Sequence, residues 1–207
     1  MEKSGRIEMI IGPMFSGKSS ELIRRVNRYM IAGYKVQAYK PRIDNRYGTD
    51  VIASHDNEKL KAVAVSHVGQ IYSRLEKDTA VVAIDEVQFL DDGILFMADW
   101  LAASGRIFIA SGLNLDFRGE PFPFMGSSRT MAELIVRADR VDMLSAICTY
   151  AENGLNCGCE ATRTQRIVNG EPASYDSPLI MVGASEAYEA RCRNHHFVPN
   201  APVLHLR

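Results

Sequence analysis

The chain has 207 residues, of which 46% are hydrophobic and 24% are charged, a composition that excludes disordered, collagen-like and coiled-coil proteins. Lysines and arginines number 24 against 25 aspartates and glutamates, and the formal charge of -1 gives no overall attraction for nucleic acid or for an anionic membrane. The longest apolar stretch near the start, Ile7 to Ile11, is too short for a signal peptide or a membrane span. We therefore expect a cytoplasmic protein.

Strand-like and helix-like patterns alternate over the first two thirds of the chain. Continuous apolar or β-branched runs predict strands at Arg6–Ile11, Lys35–Lys40, Val81–Ile84 and Arg106–Ala110. Apolar residues at helical spacing predict helices from Lys18 to a stop at Gly33, at Val68–Leu75 and at Ile94–Leu101, whereas Pro41–Asn57 is polar and typical of a loop. This alternation predicts an α/β fold with a parallel sheet and right-handed crossovers.

The last third has a different character. All four cysteines lie between Cys148 and Cys192, and because a cytoplasmic compartment disfavours disulfides, their clustering indicates a metal site. Short β-like runs at Arg166–Val168 and Leu179–Val182 accompany turn signals, and we expect a domain boundary near Leu144. The predicted division is an α/β nucleotide-binding domain at residues 1–143, a metal-binding domain at 144–197 and a tail at 198–207.

One motif identifies a phosphate site. The residues Gly12, Pro13, Met14, Phe15, Ser16, Gly17, Lys18 and Ser19 satisfy G-x-x-x-x-G-K-[ST]. They lie between a predicted strand and a predicted helix, a context that a chance glycine-rich turn would lack. Backbone N–H groups and the start of the helix would face phosphate oxygens, Lys18 would reach the β- and γ-phosphates, and the Ser19 hydroxyl would bind Mg²⁺.

Two acidic residues follow the buried strand that ends at Ile84. Asp85 and Glu86 are therefore expected at the carboxyl edge of the sheet, where open α/β sheets bind ligands. Asp85 is the natural acidic partner of Mg²⁺, and Glu86 is placed to accept a proton from the nucleophile. The alternative is that Glu86 is only a solvated residue at the end of the strand. The pair does not name the reaction, because an ATPase would use the same glutamate to orient water.

Several motifs together resemble the type II thymidine kinases. They are GPMFSGKSSELIRR, DEVQFL, GLNLDFRGEPF, EATRTQR and VGASEAYEARC, and the resemblance runs from Arg6 to His196. It implies a RecA-like phosphate-loop domain followed by a small zinc domain whose lasso, Arg166–Tyr188, closes over the nucleoside. It also implies transfer of the γ-phosphate of ATP to the 5′-hydroxyl of thymidine or deoxyuridine with Mg²⁺, a structural zinc, a homotetramer and feedback inhibition by thymidine triphosphate.

The same resemblance assigns roles to individual residues. It makes Glu86 the general base and places Asp44 and Arg46 near phosphates and metal, where the alternative is an exposed loop ion pair. The family segment GLD is Gly112-Leu113-Asn114 here, so an asparagine stands where an aspartate is common. The implied nucleoside contacts are Met14, Phe89, Leu113, Phe117, Phe122, Thr164, Met181, Val182, Gly183 and Tyr188. Each aromatic residue in this set, taken singly, is more typical of a core.

Three cysteines and one histidine are the expected zinc ligands. Alignment on EATRTQR selects Cys157, and the set Cys148, Cys157, Cys192 and His195 gives a tetrahedral Cys₃His site. The segment between Cys148 and Cys157 is longer than in the family, which leaves Cys159 as a substitute for Cys148 and His196 as one for His195. Free buried cysteines without metal are the alternative.

A second function class stays open at this stage. A phosphate-loop ATPase that acts on a protein or nucleic acid, with the zinc domain for recognition, shares the loop and the acidic pair. The chain shows no basic patch or arginine-rich element, which disfavours a polynucleotide partner. A nucleotide-binding module without catalysis conflicts with the intact Glu86.

Overall fold

A six-stranded parallel sheet forms the centre of the fold. The computed structural model describes residues 5–43, 51–53, 58–180 and 186–202. In chain order, its first strands are β1 (Arg6–Ile11), β2 (Val36–Pro41), β3 (Val51–Ala53), β4 (Lys59–Lys61), β5 (Val63–Val65), β6 (Val81–Ile84), β7 (Ile107–Gly112) and β8 (Arg140–Met143). The sheet order is β5-β2-β6-β7-β1-β8, and each neighbouring pair is parallel. The predicted α/β fold is confirmed.

Helices cover both faces of this sheet. They are α1 (Lys18–Ile31), α2 (Val68–Arg74), α3 (Gly93–Ala103) and α4 (Met131–Ile135). On one face, Leu22 and Val26 of α1 pack with Ile109 of β7. On the other face, Leu95 of α3 packs with Phe108. All residues of β6 and β7 are buried, as expected of strands covered on both sides.

The order of the strands brings the sequence motifs to one edge. Strand β7 lies between β1 and β6, and because all three are parallel, the segments that follow Ile11, Ile84 and Gly112 meet at the carboxyl edge of the sheet. A ligand at this edge contacts residues from three separate parts of the chain.

Small antiparallel sheets make up the last third of the described chain. Their strands are β9 (Ala146–Ile147), β10 (Ala151–Glu152), β11 (Leu155–Asn156), β12 (Glu160–Ala161), β13 (Arg163–Val168), β14 (Glu171–Pro172) and β15 (Glu186–Arg191). Strand β13 lies between β14 and β15. The boundary predicted near Leu144 falls between β8 and β9.

Two local predictions are wrong. Part of the segment predicted as a polar loop forms β3, which pairs with β4. Leu179 and Ile180, predicted to begin a β-like run, are outside any strand. The strand that pairs with β13 along its whole length is β15. Pro178 directly precedes Leu179 and has no backbone N–H. It cannot donate a hydrogen bond to a neighbouring strand, so a paired strand cannot continue from Leu179 toward the N-terminus.

None of the described helices is long and apolar enough to cross a bilayer.

Candidate active site

The phosphate loop connects β1 to α1 and is closed by its own hydrogen bonds. Lys18 Nζ and Ser16 Oγ both donate to the Pro13 carbonyl, at 2.7 and 2.8 Å. Gly12 has a φ of +153°, and a Cβ at this position would lie 2.4 Å from the Leu144 carbonyl oxygen, so only glycine fits. Gly17, at φ +79°, precedes the first turn of α1. The loop therefore has the compact form that directs backbone N–H groups toward an anion.

Asp85 joins the phosphate loop to the end of β6. Its Oδ2 accepts a 2.9 Å hydrogen bond from Ser19 Oγ. Its Oδ1 accepts one from Ser111 Oγ at 2.5 Å and one from the Glu86 N–H at 3.1 Å. The Ser19 hydroxyl and the Asp85 carboxylate are adjacent hard oxygen donors, the type that Mg²⁺ prefers, so the residues fit this ion.

Glu86 has a backbone conformation that is unusual for its residue type. Its φ is +50° and its ψ is +43°, in the left-handed region, and its side chain is buried. Strain of this kind persists only where the surroundings impose it, and it is concentrated at functional sites. The residue is only 9% exposed, so the alternative of a solvated strand end is wrong.

Gln88 holds the Glu86 carboxylate. Its Nε2 donates a 2.6 Å hydrogen bond to Glu86 Oε2, and its Oε1 accepts a 3.2 Å bond from the Leu113 N–H. Both ends of the amide are thus used, which fixes its orientation. A Cβ on Gly112 would lie 2.4 Å from Gln88 Oε1, so the glycine at the end of β7 makes room for this contact. Gln88 thereby connects Glu86 to one of the expected nucleoside contacts.

Apolar and aromatic side chains surround a cavity near Glu86. Phe89 and Phe122 pack edge to face with ring centroids 5.6 Å apart, and Met14 and Leu113 belong to the same apolar cluster. A cavity of about 440 Å³ adjoins them, within the range of small-molecule sites. Of the expected nucleoside contacts, Phe122 lines it, together with Gln88, Phe124 and Leu179. A planar base would meet the Phe122 ring and the Gln88 amide here.

Two arginines beside Phe117 bind the middle of the lasso. The guanidinium carbons of Arg118 and Arg166 lie 5.2 and 5.3 Å from the Phe117 ring centroid. Arg118 Nη2 donates to the Ser177 carbonyl at 2.8 Å, and Arg166 Nη1 donates to the Pro178 carbonyl at 2.5 Å. Phe117 therefore acts as a packing platform between two cations that bind lasso carbonyls.

Further contacts connect the lasso strands to the phosphate loop. Thr164, on β13, is buried, and its hydroxyl accepts a 3.0 Å hydrogen bond from the Met14 N–H. Tyr188 lies opposite Arg166 in the β13–β15 register and is half-buried. The structure thus brings Met14, Thr164 and Tyr188 to the lasso side of the site. The predicted residues Asp44, Arg46, Met181, Val182 and Gly183 lie outside the described residues.

The expected zinc ligands converge. The donor atoms of Cys148, Cys157, Cys192 and His195 all lie within 4.8 Å of one another. His195 Nδ1 is 3.7 Å from Cys148 Sγ and 3.5 Å from Cys192 Sγ, close to the ~3.6 Å edge of a tetrahedron with zinc–ligand bonds of about 2.0–2.3 Å. Three thiol sulfurs and an imidazole nitrogen are the donor set of structural zinc, and the cluster fits this ion.

The long segment between the first two ligands folds back on itself. Strands β10 and β11 form a hairpin around Asn153 and Gly154, both at positive φ. The Cys157 N–H then donates 2.7 Å to the Tyr150 carbonyl, which returns Cys157 to Cys148. Cys159 is exposed and outside the cluster.

His196 has a separate position beside the ligands. Its Nε2 lies 2.9 Å from the Phe117 carbonyl oxygen, and since a carbonyl only accepts, Nε2 carries the proton. Burial lowers the pKa of His196 and so favours the neutral ring, while the Phe117 contact opposes this shift. His196 therefore connects the ligand segment to the loop after β7 and does not replace His195.

Several residues of the site were not predicted singly. Gln88 lies inside the motif DEVQFL, but its spacing two residues after Glu86 was not interpreted. Ser111 and Arg166 have no sequence signal beyond their presence in a strand. Arg166 is fully buried, which composition alone would not predict for an arginine.

A parallel sheet with a phosphate loop after β1 and an acidic pair after β6 defines the class of phosphate-loop nucleotide-binding α/β proteins. A family model described as thymidine kinase matches residues 5–196. A thymidine kinase of Deinococcus deserti is 46% identical over 204 residues, covering 94% of this chain and 95% of that protein. The chain belongs to the thymidine kinase family and is an enzyme of that activity.

Proposed function

We propose that the protein transfers the γ-phosphate of ATP to the 5′-hydroxyl of thymidine, and also of deoxyuridine, to give the 5′-monophosphate. The observation that carries this proposal is the joining of Ser19, Asp85 and Glu86 at one edge of the sheet. Gln88, whose amide binds Glu86, lines an apolar cavity of nucleoside size, which supports a nucleoside site beside Glu86. The reaction would serve pyrimidine deoxynucleotide salvage for DNA synthesis.

The phosphate loop and the Ser19–Asp85 pair would bind the donor. Lys18, whose Nζ contacts the Pro13 carbonyl, would exchange that contact for β- and γ-phosphate oxygens. Ser19 and Asp85 would hold Mg²⁺, which neutralises phosphate charge when bound. Glu86 Oε2 is held by Gln88.

Glu86 would accept the proton of the 5′-hydroxyl as that oxygen bonds to the γ-phosphorus. The bond between the γ-phosphorus and the bridging oxygen breaks, and ADP leaves with the electron pair. Little covalent chemistry falls to the protein, because positioning and electrostatics supply most of the acceleration of phosphoryl transfer.

The lasso would select the base through main-chain groups. Backbone donors and acceptors can pair with the O4, N3 and O2 edge of thymine, and Met14 offers an apolar contact for the 5-methyl group. A cytosine amine would meet a donor in such a pocket and leave buried groups unpaired, which is a large penalty.

The zinc site would have a structural role. Cys148, Cys157, Cys192 and His195 would fill all four positions of the ion and so leave no open position for catalysis. The small apolar cluster around it consists mainly of alanines and cysteines, too little to order a unit of this size. Zinc would tie β9 to the segment after β15 and thereby hold both ends of the lasso.

The family also supports a homotetramer and inhibition by thymidine triphosphate as parts of this proposal. Exposed apolar side chains on the α1 end and on the edge strand β8, among them Ile31 and Met143, support an assembly. Light scattering after gel filtration tests the tetramer. Four free cysteines agree with a reducing, cytoplasmic location.

The test is ADP release from Mg²⁺–ATP, measured without nucleoside and then separately with thymidine, deoxyuridine, deoxycytidine and deoxyadenosine. The proposal predicts release that depends on thymidine or deoxyuridine and is matched by 5′-monophosphate. Release that is the same without nucleoside would favour the ATPase alternative and would contradict the lasso assignment.

A further inference from the structure

A second cavity lies where the phosphate loop meets the zinc unit. Its volume is about 310 Å³, and the residues that line it come from five separate segments. None of Lys18, Ser19, Asp85 and Glu86 is among the described residues that line it, so it is separate from the proposed reaction centre. The lining residues are Gly12, Pro13, Asn114, Leu115, Met143, Leu144, Thr162, Arg163 and Arg193.

Two arginines face this cavity without a carboxylate. Arg163 is half-buried, and its Nη1 donates only to the carbonyl and hydroxyl oxygens of the preceding Thr162, at 3.1 and 3.2 Å. Arg193 is exposed. Among the described residues, neither arginine makes an ion pair, whereas the buried Arg25 pairs with both Glu8 and Asp142.

The two guanidinium groups also repel one another. Burial lowers the pKa of Arg163, and the charge of Arg193 lowers it further. Two like charges beside one cavity cost free energy, and an anion between them would remove that cost. An arginine pair offers several N–H donors in planar arrays, which match the oxygens of a phosphate group.

The other walls of the cavity suit a small phosphorylated molecule. Asn114 supplies an amide, and Leu115, Met143 and Leu144 supply an apolar side. The volume exceeds the needs of a single phosphate and approaches the lower limit of ordinary ligand sites. None of the described residues that line the cavity is acidic, so no carboxylate of the lining would repel an anion.

We propose that this cavity binds the phosphate group of a small molecule between Arg163 and Arg193. The cavity adjoins the reaction centre through the backbone, because Gly12 and Pro13 begin the phosphate loop and Thr162 lies two residues before Thr164, which binds the Met14 N–H. An anion here would therefore also stabilise the junction between the phosphate loop and the zinc unit.

The experiment is calorimetric titration of the full chain with inorganic phosphate and, separately, with ribose 5-phosphate. Mg²⁺ and a non-hydrolysable ATP analogue are present in excess, so that the phosphate loop is already filled. The variants are Arg163→Gln and Arg193→Gln. The matched control is Arg74→Gln, which removes an exposed arginine at the end of α2 whose Nη1 binds only a carbonyl of its own helix. Thermal unfolding checks that each variant is folded.

We expect saturable binding to the wild type and to Arg74→Gln, weakened about tenfold or more in each of the other two variants. Tighter binding of ribose 5-phosphate than of phosphate identifies a phosphorylated metabolite as the ligand, and equal binding identifies inorganic phosphate. The proposal is overturned if folded Arg163→Gln and Arg193→Gln bind like the wild type, if the wild type binds neither anion, or if the ATP analogue abolishes binding. The affinity of the ATP analogue is measured first. If the analogue fails to bind, the proposed function is wrong, and the comparison of the wild type with Arg163→Gln and Arg193→Gln still tests the anion site.

Discussion

The Gln88 amide donates a 2.6 Å hydrogen bond to Glu86 Oε2, and its other end accepts the Leu113 N–H. One buried side chain thus connects the proposed base, which follows β6, to the residue that follows β7. The carboxylate oxygen that Gln88 binds is committed to this contact, and the arrangement restricts the rotamers of Glu86.

Replacement of Gln88 tests this positioning role. We expect Gln88→Leu to lower kcat about 10- to 100-fold with little change in ATP affinity, because Glu86 loses its orienting donor. Steady-state kinetics with thymidine and with ATP varied in turn provide the measurement.

A second glutamine provides the matched control. Gln37 also uses both ends of its amide, with the Arg74 carbonyl and the Glu76 N–H, but far from the reaction centre. Gln37→Leu should lower stability and leave kcat near the wild-type value. Equal losses of kcat in the two variants would mean that Gln88 acts only through general stability.

The zinc assignment is tested by metal content. We expect roughly one zinc per wild-type chain and a loss of most of it in Cys148→Ser, since a structural site requires all four ligands. Cys159→Ser is the control, because Cys159 is exposed and outside the cluster. Atomic absorption after purification in reducing buffer provides the measurement, and zinc loss in Cys159→Ser alone would reverse the ligand assignment.

The arginine that holds the lasso should affect nucleoside binding more than chemistry. Arg118 stacks on Phe117 and Tyr175 and binds the Ser177 carbonyl. We expect Arg118→Ala to raise the KM for thymidine about 5- to 20-fold with a smaller effect on kcat, because the lasso loses an anchor near its middle.

Arg106 offers a control of the same chemistry. Arg106 directly precedes β7, at the edge of the sheet opposite to the site. It stacks on Trp100 and binds the Thr79 carbonyl. Arg106→Ala should leave the KM for thymidine unchanged. The assignment of Arg118 fails if its variant binds thymidine as tightly as Arg106→Ala does.

One prediction concerns stability in acid. Hydrogen bonds from Arg24 and Arg25 lower the pKa of Glu21 from 4.5 to about 2. The folded state therefore favours the ionised carboxylate, and this contribution is full above pH 4.5 and is lost as the pH falls toward 2. Glu21→Gln should unfold with about 1–2 kcal/mol less free energy than the wild type at pH 7.

Urea unfolding at several pH values checks this. The difference between Glu21→Gln and the wild type should narrow as the pH falls below about 4.5. A difference that is constant between pH 7 and pH 3 would show that the carboxylate charge contributes nothing.

Patterns with a strong local cause were readable from the sequence. The apolar run at Val81–Ile84 predicted a buried strand, and the motif that ends in Lys18 and Ser19 predicted a loop between a strand and a helix; both arrangements are confirmed. The four residues predicted as zinc ligands lie together in one cluster.

Features that depend on distant parts of the chain were not readable. The burial of Arg166 depends on Phe117 and on the Pro178 carbonyl, which only the tertiary fold brings together. The orientation of Gln88 depends on the space beside Gly112, at the end of β7. Neither relationship leaves a periodicity or a spacing in the sequence.

The proposed role of Glu86 is to accept the 5′-hydroxyl proton during transfer from ATP to thymidine. Single-turnover formation of thymidine monophosphate by the wild type and by Glu86→Gln, with ATP binding measured in parallel, tests this role. We expect a rate loss of about 10²- to 10⁴-fold with ATP affinity unchanged. A Glu86→Gln rate equal to that of the wild type would contradict it.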